Sequence, residues 1–510
     1  MNTVIITPTP PDINAFGVRI LSSVLKENGI NVRIIFLPGG IEHLKFDASF
    51  VYRYKNRVLE QIVKICDDAG FIGFSFMSQY FDRAVQITEF LKKRLAVPII
   101  WGGIHPTYRP EQSLMYSNSV CIGEGENAIA EYAKKKAAGE DYTTVRGFWH
   151  VCDGKIKKNP GNSIVQDLDT LPYADYDIQD HYVYNWIHEE IVKIDPEIMK
   201  SQFLRMKYRD GKGLITYRTM TSRGCPHRCA YCASSAMQKL RRRSVDNVIG
   251  ELKQILNTFD YIELISFFDD TFFAAPVEYF EEFRDKYKSH VGLPFHAQCS
   301  PTTINEKKMD LLVDAGMFNT EMGIQTGSER IKKMYRRMVS NQTIIQAAKT
   351  IESYRPRLMI PDYHIILDNP WESTKDVKDT LDLLLHLPGK FELQLSSLVF
   401  FPGTELNQKA IREGIIQDEV SEVCRKPFTF PKENYLNYLI FLSGFPIVPR
   451  IILKIMSRDC FISLFHSSES NLLFRFLFWM TLRIRLFSKG IFAVITGDFK
   501  RIRNYFKLVR

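Results

Sequence analysis

Three cysteines in one short stretch carry the clearest chemical signal in the sequence. Cys225, Cys229 and Cys232 follow C-x3-C-x2-C spacing. Thiolates are soft ligands that suit iron–sulfur clusters, zinc and copper(I). A cubane cluster has four irons and normally takes four thiolates, so a set of three leaves one iron open to a small molecule. A structural zinc site with His227 or a distant residue as fourth ligand is the alternative, but the sequence has no second half of a paired zinc motif.

This stretch resembles the signature of the radical S-adenosylmethionine (SAM) enzymes, C-x3-C-x-aromatic-C, with Tyr231 as the aromatic residue. The resemblance implies that Cys225, Cys229 and Cys232 hold a [4Fe–4S] cluster and that Tyr231 packs beside the adenine of SAM. In that family SAM fills the open iron site, and one electron from the cluster cleaves it to methionine and a 5′-deoxyadenosyl radical.

Length and composition are those of a globular chain with two or three domains. Of the 510 residues, 45% are hydrophobic and 25% are charged. The other cysteines are scattered, so we expect buried thiols in a reducing cytoplasm rather than a disulfide scaffold. Residues 1–8 lack a basic region and a long apolar core, which favours a first strand over a signal peptide.

The basic residues are concentrated at the carboxyl end. Residues 431–510 contain 13 Lys and Arg against 4 Asp and Glu, and the net charge of the whole chain is +9, so the remainder is neutral in sum. This distribution argues against a nucleic-acid partner.

The basic tail, residues 431–510, is predicted to be helical, with two interpretations. Residues 434–449 are uncharged but too short to span a membrane, and they include Pro446. Farther along the tail, aromatic and apolar side chains occur together with basic ones: Phe474, Leu477 and Phe478 with Arg475, Arg483 and Arg485. The pattern favours either peripheral contact with the inner face of a membrane, which would suit a lipid-like substrate, or helices packed on the core.

Strands and helices alternate through residues 1–150, which predicts an α/β domain with a Rossmann-like, doubly wound parallel sheet. Strands are expected at 3–7, 32–37, 71–77, 98–101 and 119–122, with helices around 20–25 and at 81–95. Ligands of such sheets bind beyond the carboxyl ends of the strands, where the loops here are rich in glycine. A nucleotide-binding unit is the alternative, but no G-x-G-x-x-G opens a helix after the first strand.

These loops resemble the cobalamin-binding domain that precedes the radical SAM core in one large subfamily. Residues 101–107 and 123–126 carry the resemblance. It implies cobalamin contacts from Asp12, Asn14, Gly17, Ser75, Gln79, Gly102, Gly103, His105, Gly123, Glu124 and Gly125.

One position departs from the family pattern. Cobalamin domains that ligate cobalt from below carry D-x-H-x-x-G after the first strand, whereas residues 12–17 have Asn14 at the histidine position. An amide is a poor cobalt ligand beside imidazole, so we expect no lower histidine ligand from this loop. His105 is the other candidate ligand, although we favour a structural loop histidine there.

A polar segment, residues 151–205, predicts a linker, and residues 206–430 predict a partial (β/α)6 barrel of the TIM type. Strands are expected at 214–219, 261–268, 294–298, 319–325, 363–367 and 392–400, and helices at 245–258, 277–290, 306–315, 343–354, 374–387 and 405–414. The cysteine loop follows the first of these strands, at the edge where barrel enzymes react.

Polar residues follow other barrel strands. Asp269 and Asp270 are expected to hydrogen-bond the SAM ribose or to form a helix cap or solvated turn. The run G-I-Q-T-G-S-E resembles the family's G-I-E-S-G-S-E, with Gln325 replacing the usual glutamate and with Ser328 either on SAM or only capping a helix. The resemblance also places the loop with Asn369 on the SAM cavity.

The sequence leaves two possible roles for each of three more side chains. Tyr363 and His364 are neighbours in one strand, so one of them must point into the barrel. That side chain could handle protons, although we expect simple barrel filling. Cys299 could donate a hydrogen atom, but we expect an inert thiol.

The resemblance implies a cobalamin-dependent radical SAM enzyme with a [4Fe–4S] cluster, SAM and cobalamin as cofactors and a ferredoxin or flavodoxin as electron donor. We expect it to methylate an unactivated carbon of a small or lipid-like substrate, because alkyl C–H bonds are beyond acid–base catalysis and need such cofactors. Two alternatives stay open: a radical cyclase or rearrangement enzyme without methyl transfer, and a non-catalytic cobalamin or redox sensor.

Overall fold

The computed structural model describes residues 1–9, 13–38, 53–161, 164–234, 239–425 and 431–465, and positions 476, 477, 479–481 and 483. Two compact units make up the chain. The first contains Met1–Leu204 and Phe400–Pro427, and the second contains Arg205–Val399 and Phe428–Arg510.

A nine-stranded sheet forms the centre of the first unit. Its strands are β1 (Asn2–Thr9), β2 (Asn31–Pro38), β3 (Ala69–Ser75), β4 (Ile99–Gly102), β5 (Ser119–Cys121), β6 (Phe148–Cys152), β7 (Lys155–Lys158), β8 (Tyr182–Asn185) and β9 (Glu190–Lys193). Their order is β7-β6-β5-β4-β3-β1-β2-β8-β9. Strands β1 to β5 pair in parallel, whereas β6–β7 and β8–β9 are antiparallel hairpins at the two edges.

The helices of residues 1–204 lie between or after the strands of this sheet along the chain. They are α1 (Phe16–Glu27), α2 (Asn56–Cys66), α3 (Phe81–Lys92), α4 (Ile104–Tyr108), α5 (Pro110–Leu114), α6 (Glu126–Ala137) and α7 (Pro196–Gln202). Val4, Ile5 and Ile6 of β1 are all buried, as expected when helices cover both faces of a parallel sheet. The predicted doubly wound sheet is confirmed. Its order reverses between β1 and β3, which is the position where such sheets bind ligands.

Almost all of the segment predicted as a linker, residues 151–205, is folded within the first unit, where it supplies the hairpin β8–β9 and the edge strand β7. Asp175 ties this segment to α1. Its carboxylate accepts a hydrogen bond from Ser22 Oγ at 2.5 Å and lies 2.8 Å from Lys26 Nζ and 3.2 Å from His181 Nε2. Burial alone would raise the pKa of Asp175, but these partners hold it well below its ordinary value.

A seven-stranded sheet forms the second unit, in the order β10-β11-β14-β15-β16-β17-β18. These strands are β10 (Leu204–Lys207), β11 (Gly213–Thr219), β14 (Leu264–Phe267), β15 (Phe295–Cys299), β16 (Met317–Gln325), β17 (Asp362–Leu367) and β18 (Glu392–Ser397), and β12 (Ser222–Arg223) and β13 (Arg241–Arg242) form a separate pair. From β11 to β18 every neighbouring pair is parallel. The predicted partial barrel of six strand–helix units is therefore confirmed.

The helices that follow these strands are α8 (Val245–Thr258), α9 (Val277–His290), α10 (Glu306–Ala315), α11 (Glu329–Met334), α12 (Asn341–Ser353), α13 (Thr374–His386) and α14 (Glu405–Arg412). Helix α14, which follows the last barrel strand, belongs to the first unit. The outer face of the barrel sheet is apolar and buried. Phe267 and Phe295, for example, pack their rings against Phe283 and Tyr287 of α9.

Three short helices begin the basic tail: α15 (Tyr435–Ser443), α16 (Arg450–Met456) and α17 (Asp459–Leu464). Helix α15 packs on α13, and its Leu439 and Ile440 are fully buried. Asp368 accepts hydrogen bonds from Asn437 Nδ2 at 2.7 Å and from Lys432 N at 2.8 Å, so α15 is fixed to the end of β17. None of the helices in the described ranges is long and apolar enough to cross a membrane.

Candidate active site

The cysteine loop begins directly after β11 and is held at its base by Asp269. The carboxylate of Asp269 is fully buried and accepts hydrogen bonds from Thr221 N at 3.0 Å, Thr221 Oγ1 at 2.9 Å and Ser222 Oγ at 2.5 Å. Burial raises the pKa of Asp269, and the donors act against that shift. The pairing of β12 with β13 closes the same loop base.

The three cysteine thiols are not joined in disulfides, and they line one cavity of about 190 Å³. Thiolates bind iron–sulfur clusters and zinc, and each thiolate of a cubane binds its own iron. The cavity thus brings together the three residues that the sequence predicts as cluster ligands.

Two neighbouring side chains act on these thiols. Cys225 Sγ lies 3.5 Å from Thr271 Oγ1, and burial raises the pKa of Cys225. Nη1 of the buried Arg337 lies 3.8 Å from Cys229 Sγ. Both side chains could therefore hold the cysteine side chains in place at the cavity wall.

Half of the predicted SAM residues lie on this cavity. Tyr231, Asp270 and Gln325 line it with the cysteines. The ring of Tyr231 meets the edge of Tyr335 at 5.0 Å between centroids. Burial raises the pKa of Asp270, and the neighbouring charge of Asp269 raises it further. These three side chains could contact a ligand bound at the thiols.

The other three SAM predictions have structural partners and do not line the cavity. Asp269 supports the cysteine loop, as described above. Ser328 caps α11 by accepting from Ile331 N, and its Oγ donates to Asp376 at 2.5 Å. Asn369 is buried and donates from Nδ2 to Tyr335 at 3.2 Å. A direct part for any of the three in binding SAM stays a prediction.

A polar face across β15, β16 and β17 continues the cavity wall, and the sequence reasoning missed most of it. Glu321 lies at its centre, with Nε2 of His296 at 3.4 Å, Nε2 of His364 at 3.3 Å and Nε2 of Gln298 at 3.2 Å. Burial would raise the pKa of Glu321, but the two histidines lower it well below its ordinary value, so Glu321 is ionised. Asp362, behind it, has a pKa raised to about 6 by burial and by the charge of Glu321.

Strand alternation accounts for this face. Glu321, Gly323 and Gln325 are spaced by two residues, and all three line the cavity. In β17 His364 lines the cavity, whereas Tyr363 is buried and its ring packs against Phe391. The inward side chain of that pair is therefore the histidine. The period-two run of polar residues in β16 was the signal that could have identified Glu321 in the sequence.

Cys299 also lines the cavity, next to Glu321. Its Sγ donates to the backbone oxygen of Glu321 at 3.3 Å, and burial raises the pKa of the thiol to about 12. A thiol of that pKa stays protonated near neutral pH, which agrees with an inert role.

In the first unit the predicted cobalamin loops meet at the carboxyl edge of the sheet. Ser75 ends β3, Gly102 ends β4, and the loop with Gly123 and Gly125 follows β5. Gly103 has φ +96°, and a Cβ there would lie 2.8 Å from the backbone oxygen of Phe76, so only glycine fits. A glycine at such a position lets the backbones of neighbouring loops approach each other closely.

Several cobalamin predictions have internal partners. Glu124 is buried and accepts from Val165 N at 2.8 Å. Asn14 is buried and accepts from Tyr176 at 3.4 Å. Gln79 keeps a buried Oε1 with no hydrogen-bond partner in the described ranges, an atom that a ligand donor would satisfy. Gly17 is exposed at the start of α1, and Asp12 lies outside the described residues.

His105, the second candidate cobalt ligand, is fully buried. Its ring stacks on Phe76 at 5.6 Å and contacts Phe81 at 4.8 Å, and its Nδ1 lies 3.1 Å from Ser78 Oγ. Burial lowers its pKa to about 4, so the imidazole is neutral at neutral pH. This position supports the structural role that the sequence reasoning favoured.

Comparison with known families matches both units. Residues 219–384 match the model of the radical SAM superfamily, and residues 2–133 match the B12 binding domain. The first of these ranges contains the three cysteines and the polar face. The second contains every predicted cobalamin residue.

Curated relatives are distant. The chain is 25% identical over 323 residues to an uncharacterized methyltransferase of Pyrococcus horikoshii, covering 62% of this chain and 64% of that protein. It is 23% identical over 447 residues to the cytidylyl-2-hydroxyethylphosphonate methyltransferase of Streptomyces wedmorensis, covering 79% of each. The alignment with the first relative thus spans less than two thirds of that protein.

A solved structure shares the fold. The radical SAM methyltransferase TsrM of Kitasatospora setae, solved with cobalamin and a [4Fe–4S] cluster, superposes with a TM-score of 0.61 at 15% identity, covering 81% of this chain and 75% of that chain. The chain therefore has a B12-binding domain followed by a radical SAM domain, and the cofactors that these two domains imply are cobalamin, a [4Fe–4S] cluster and SAM.

Proposed function

We propose that this enzyme transfers a methyl group from SAM to an unactivated carbon of a small substrate. The observation that carries the proposal is a cavity lined by the three motif cysteines in a chain that also has a B12-binding domain. When bound, the cofactors supply the radical and the methyl group, and the protein positions them. The names of the two curated relatives, both methyltransferases, support the same reaction class.

The side chains around the thiols would bind and orient the cofactors. Thr271 contacts the thiol of Cys225 and Arg337 that of Cys229, so these two residues would orient the cluster ligands. Asp270 and Gln325 offer hydrogen-bonding groups on the same wall, where a polar ligand such as SAM could bind. Asp269 keeps the cysteine loop in place through Thr221 and Ser222.

The polar face indicates the chemistry of the substrate next to the cluster. Gln298, Glu321 and His364 present hydrogen-bonding groups to the cavity. A hydrocarbon chain there would leave those groups without partners, which is costly. We therefore infer that the part of the substrate beside the thiols is polar. A lipid-like substrate would have to present its polar end there.

A cyclisation without methyl transfer is the second candidate. Its support is a partial relative, the anaerobic magnesium-protoporphyrin IX monomethyl ester cyclase of Synechocystis, which is 26% identical over 237 residues. That alignment covers 46% of this chain and 42% of that protein, so we rank the cyclase below the methyltransferase. A non-catalytic sensor would not need hydrogen-bonding side chains beside the thiols.

The test is isotope transfer. Anaerobically reconstituted enzyme, with cobalamin and a reductant, is incubated with SAM carrying a deuterated methyl group and with a metabolite extract of the source cells. We expect a metabolite that gains the labelled methyl, and no such product from the Cys225→Ala variant. An unlabelled product of changed mass would favour the cyclase, and absence of both products and of SAM cleavage would favour the sensor.

Two further parts of the proposal concern the surroundings of the enzyme. Cleavage of SAM needs one electron, which we propose comes from a ferredoxin or flavodoxin in a reducing cytoplasm. We also propose peripheral contact with a membrane, and the described part of the basic tail supplies a surface for it.

A further inference from the structure

Four isoleucines at and just before α16 form an exposed apolar surface. Ile447, Ile451, Ile452 and Ile455 are 86%, 64%, 45% and 40% exposed. We call these four residues the isoleucine surface. Isolated apolar side chains on a surface are ordinary, but a contiguous group of large ones marks an interaction site.

This exposure follows from the way in which α16 is held. Leu453 on its opposite side is buried. Arg450 donates from Nη1 to Leu385 O at 3.3 Å and from Nη2 to Gly389 O at 3.0 Å, which attaches α16 to the end of α13. Tyr435 of α15 donates to Met456 O at 3.0 Å. With these attachments on one side, the isoleucines are directed away from the barrel.

Basic residues accompany the surface. Lys454 lies within α16, and Arg458 directly follows it. Farther along, Trp479 is partly exposed, with the guanidinium of Arg483 3.6 Å from its ring centroid. Apolar and aromatic side chains bordered by Lys and Arg are the composition that binds the interface of anionic membranes. Residues 431–510 also carry an excess of 13 Lys and Arg over 4 Asp and Glu, which equals the net charge of +9 of the whole chain.

We propose that the isoleucine surface docks this enzyme on an anionic phospholipid membrane. The proposal deepens the peripheral contact stated above and does not depend on methyl transfer. A second copy of the chain fits less well. A two-fold contact through this surface would bring Lys454 and Arg458 of both copies into one interface, and like charges in close contact are unfavourable.

Vesicle sedimentation of the full reconstituted chain tests the proposal. We expect sedimentation with vesicles of phosphatidylcholine and phosphatidylglycerol, weaker sedimentation with phosphatidylcholine alone, and release by salt. Ile451→Glu should lower partition to the anionic vesicles by about tenfold or more, because it replaces a membrane-inserted side chain by a charge. Met115→Glu is the matched control, since Met115 is 75% exposed on the first unit, and it should bind as the wild type does.

Further measurements separate the outcomes. Lys454→Glu, at a second exposed position, should also weaken binding to anionic vesicles, and both tail variants should keep the wild-type unfolding temperature and SAM cleavage. The proposal is overturned if the wild type does not sediment with anionic vesicles, or if Ile451→Glu binds as the wild type does. A wild-type dimer in sedimentation velocity that Ile451→Glu dissociates would instead assign the surface to a second copy. Because SAM cleavage is measured separately, failure here leaves the proposed reaction untouched.

Discussion

The residues around the cysteines have different roles. Arg337 and Thr271 contact the thiols, whereas Asp269 contacts the loop that carries them. A fully buried aspartate that accepts several hydrogen bonds has its oxygens occupied by those donors. Of the two adjacent acids at this strand end, Asp269 therefore supports the loop, whereas Asp270 lines the cavity.

His105 allows a prediction about pH. Its imidazole is neutral in the folded chain, with a pKa lowered to about 4 by burial, from an ordinary value of 6.5. The stability that this residue contributes is therefore complete above pH 6.5 and is lost as the pH falls towards 4. Between about pH 7 and about pH 5, the wild type should lose about 2 kcal/mol more unfolding free energy than His105→Phe.

Urea unfolding followed by circular dichroism at the two pH values measures this difference. His105→Phe keeps an aromatic ring between Phe76 and Phe81 and removes the titrating group. Equal losses for the two proteins would show that His105 is not buried and neutral. We also expect His105→Phe to bind cobalamin with an unchanged absorption spectrum, since a cobalt ligand would alter it.

At this scale the sequence identified the residues that have an unusual type and spacing. The three cysteines, Tyr231 and Gln325 were found in this way, and all of them line one cavity. Arg337 and Glu321 were not, because an arginine in a helix-end run and a glutamate in a strand are common in any globular chain. In the fold, Glu321 of β16 and Arg337, which follows α11, both line the cavity that holds the thiols.

Secondary-structure elements determine what faces the cavity. Strands β15, β16 and β17 are parallel neighbours, and their register places Gln298 opposite Glu321 and Gly323 opposite His364. Bulky branched residues usually fill the interior of a TIM barrel. The polar interior here is therefore a property of a binding site rather than of a packed core.

The variant Glu321→Gln tests the polar face. A neutral amide lacks the charge that pairs with both histidines, so His364 should lose its fixed orientation towards the substrate. We expect formation of the labelled product to fall by about tenfold or more, because hydrogen bonds to charged groups are worth about 1.5–3 kcal/mol. SAM cleavage in the absence of substrate and the spectrum of the cluster should not change.

A matched control is His386→Gln, since His386 is half exposed on α13, where it contacts Asp382. It should form product at the wild-type rate. Loss of the cluster in Glu321→Gln would contradict a role towards the substrate and would make Glu321 part of the cluster site. Unchanged product formation would remove the polar face from the account.

Barrel helices were predictable because their apolar positions recur with helical spacing. The bounds of α8, α9 and α10 agree with the predicted ranges residue for residue. The edge hairpins β6–β7 and β8–β9 were not predicted, because edge strands are short and half polar and resemble loops in a sequence. Helix α15 was predictable only in part. Its uncharged sequence indicates a buried helix but does not indicate which part of the fold the helix packs against.

The whole molecule combines two units of different composition with a basic tail. The families matched by the two units require different cofactors, and one reaction that uses both explains their presence in one chain. The tail divides into a buried part, α15, and an exposed part, α16. The interpretation as helices packed on the core therefore holds for α15, and membrane contact through α16 stays a proposal. Phe474, Arg475, Phe478 and Arg485 lie outside the described residues.

The most direct measurement of the central claim is reductive cleavage of SAM. Anaerobically reconstituted protein is mixed with dithionite and SAM, its cluster is followed by electron paramagnetic resonance, and 5′-deoxyadenosine is measured by mass spectrometry. We predict a [4Fe–4S] signal and release of 5′-deoxyadenosine. Both should be lost on replacement of Cys225, Cys229 or Cys232 by alanine and kept in Cys121→Ala, the buried thiol of β5. Protein that binds zinc instead, or that holds iron without cleaving SAM, would contradict the account.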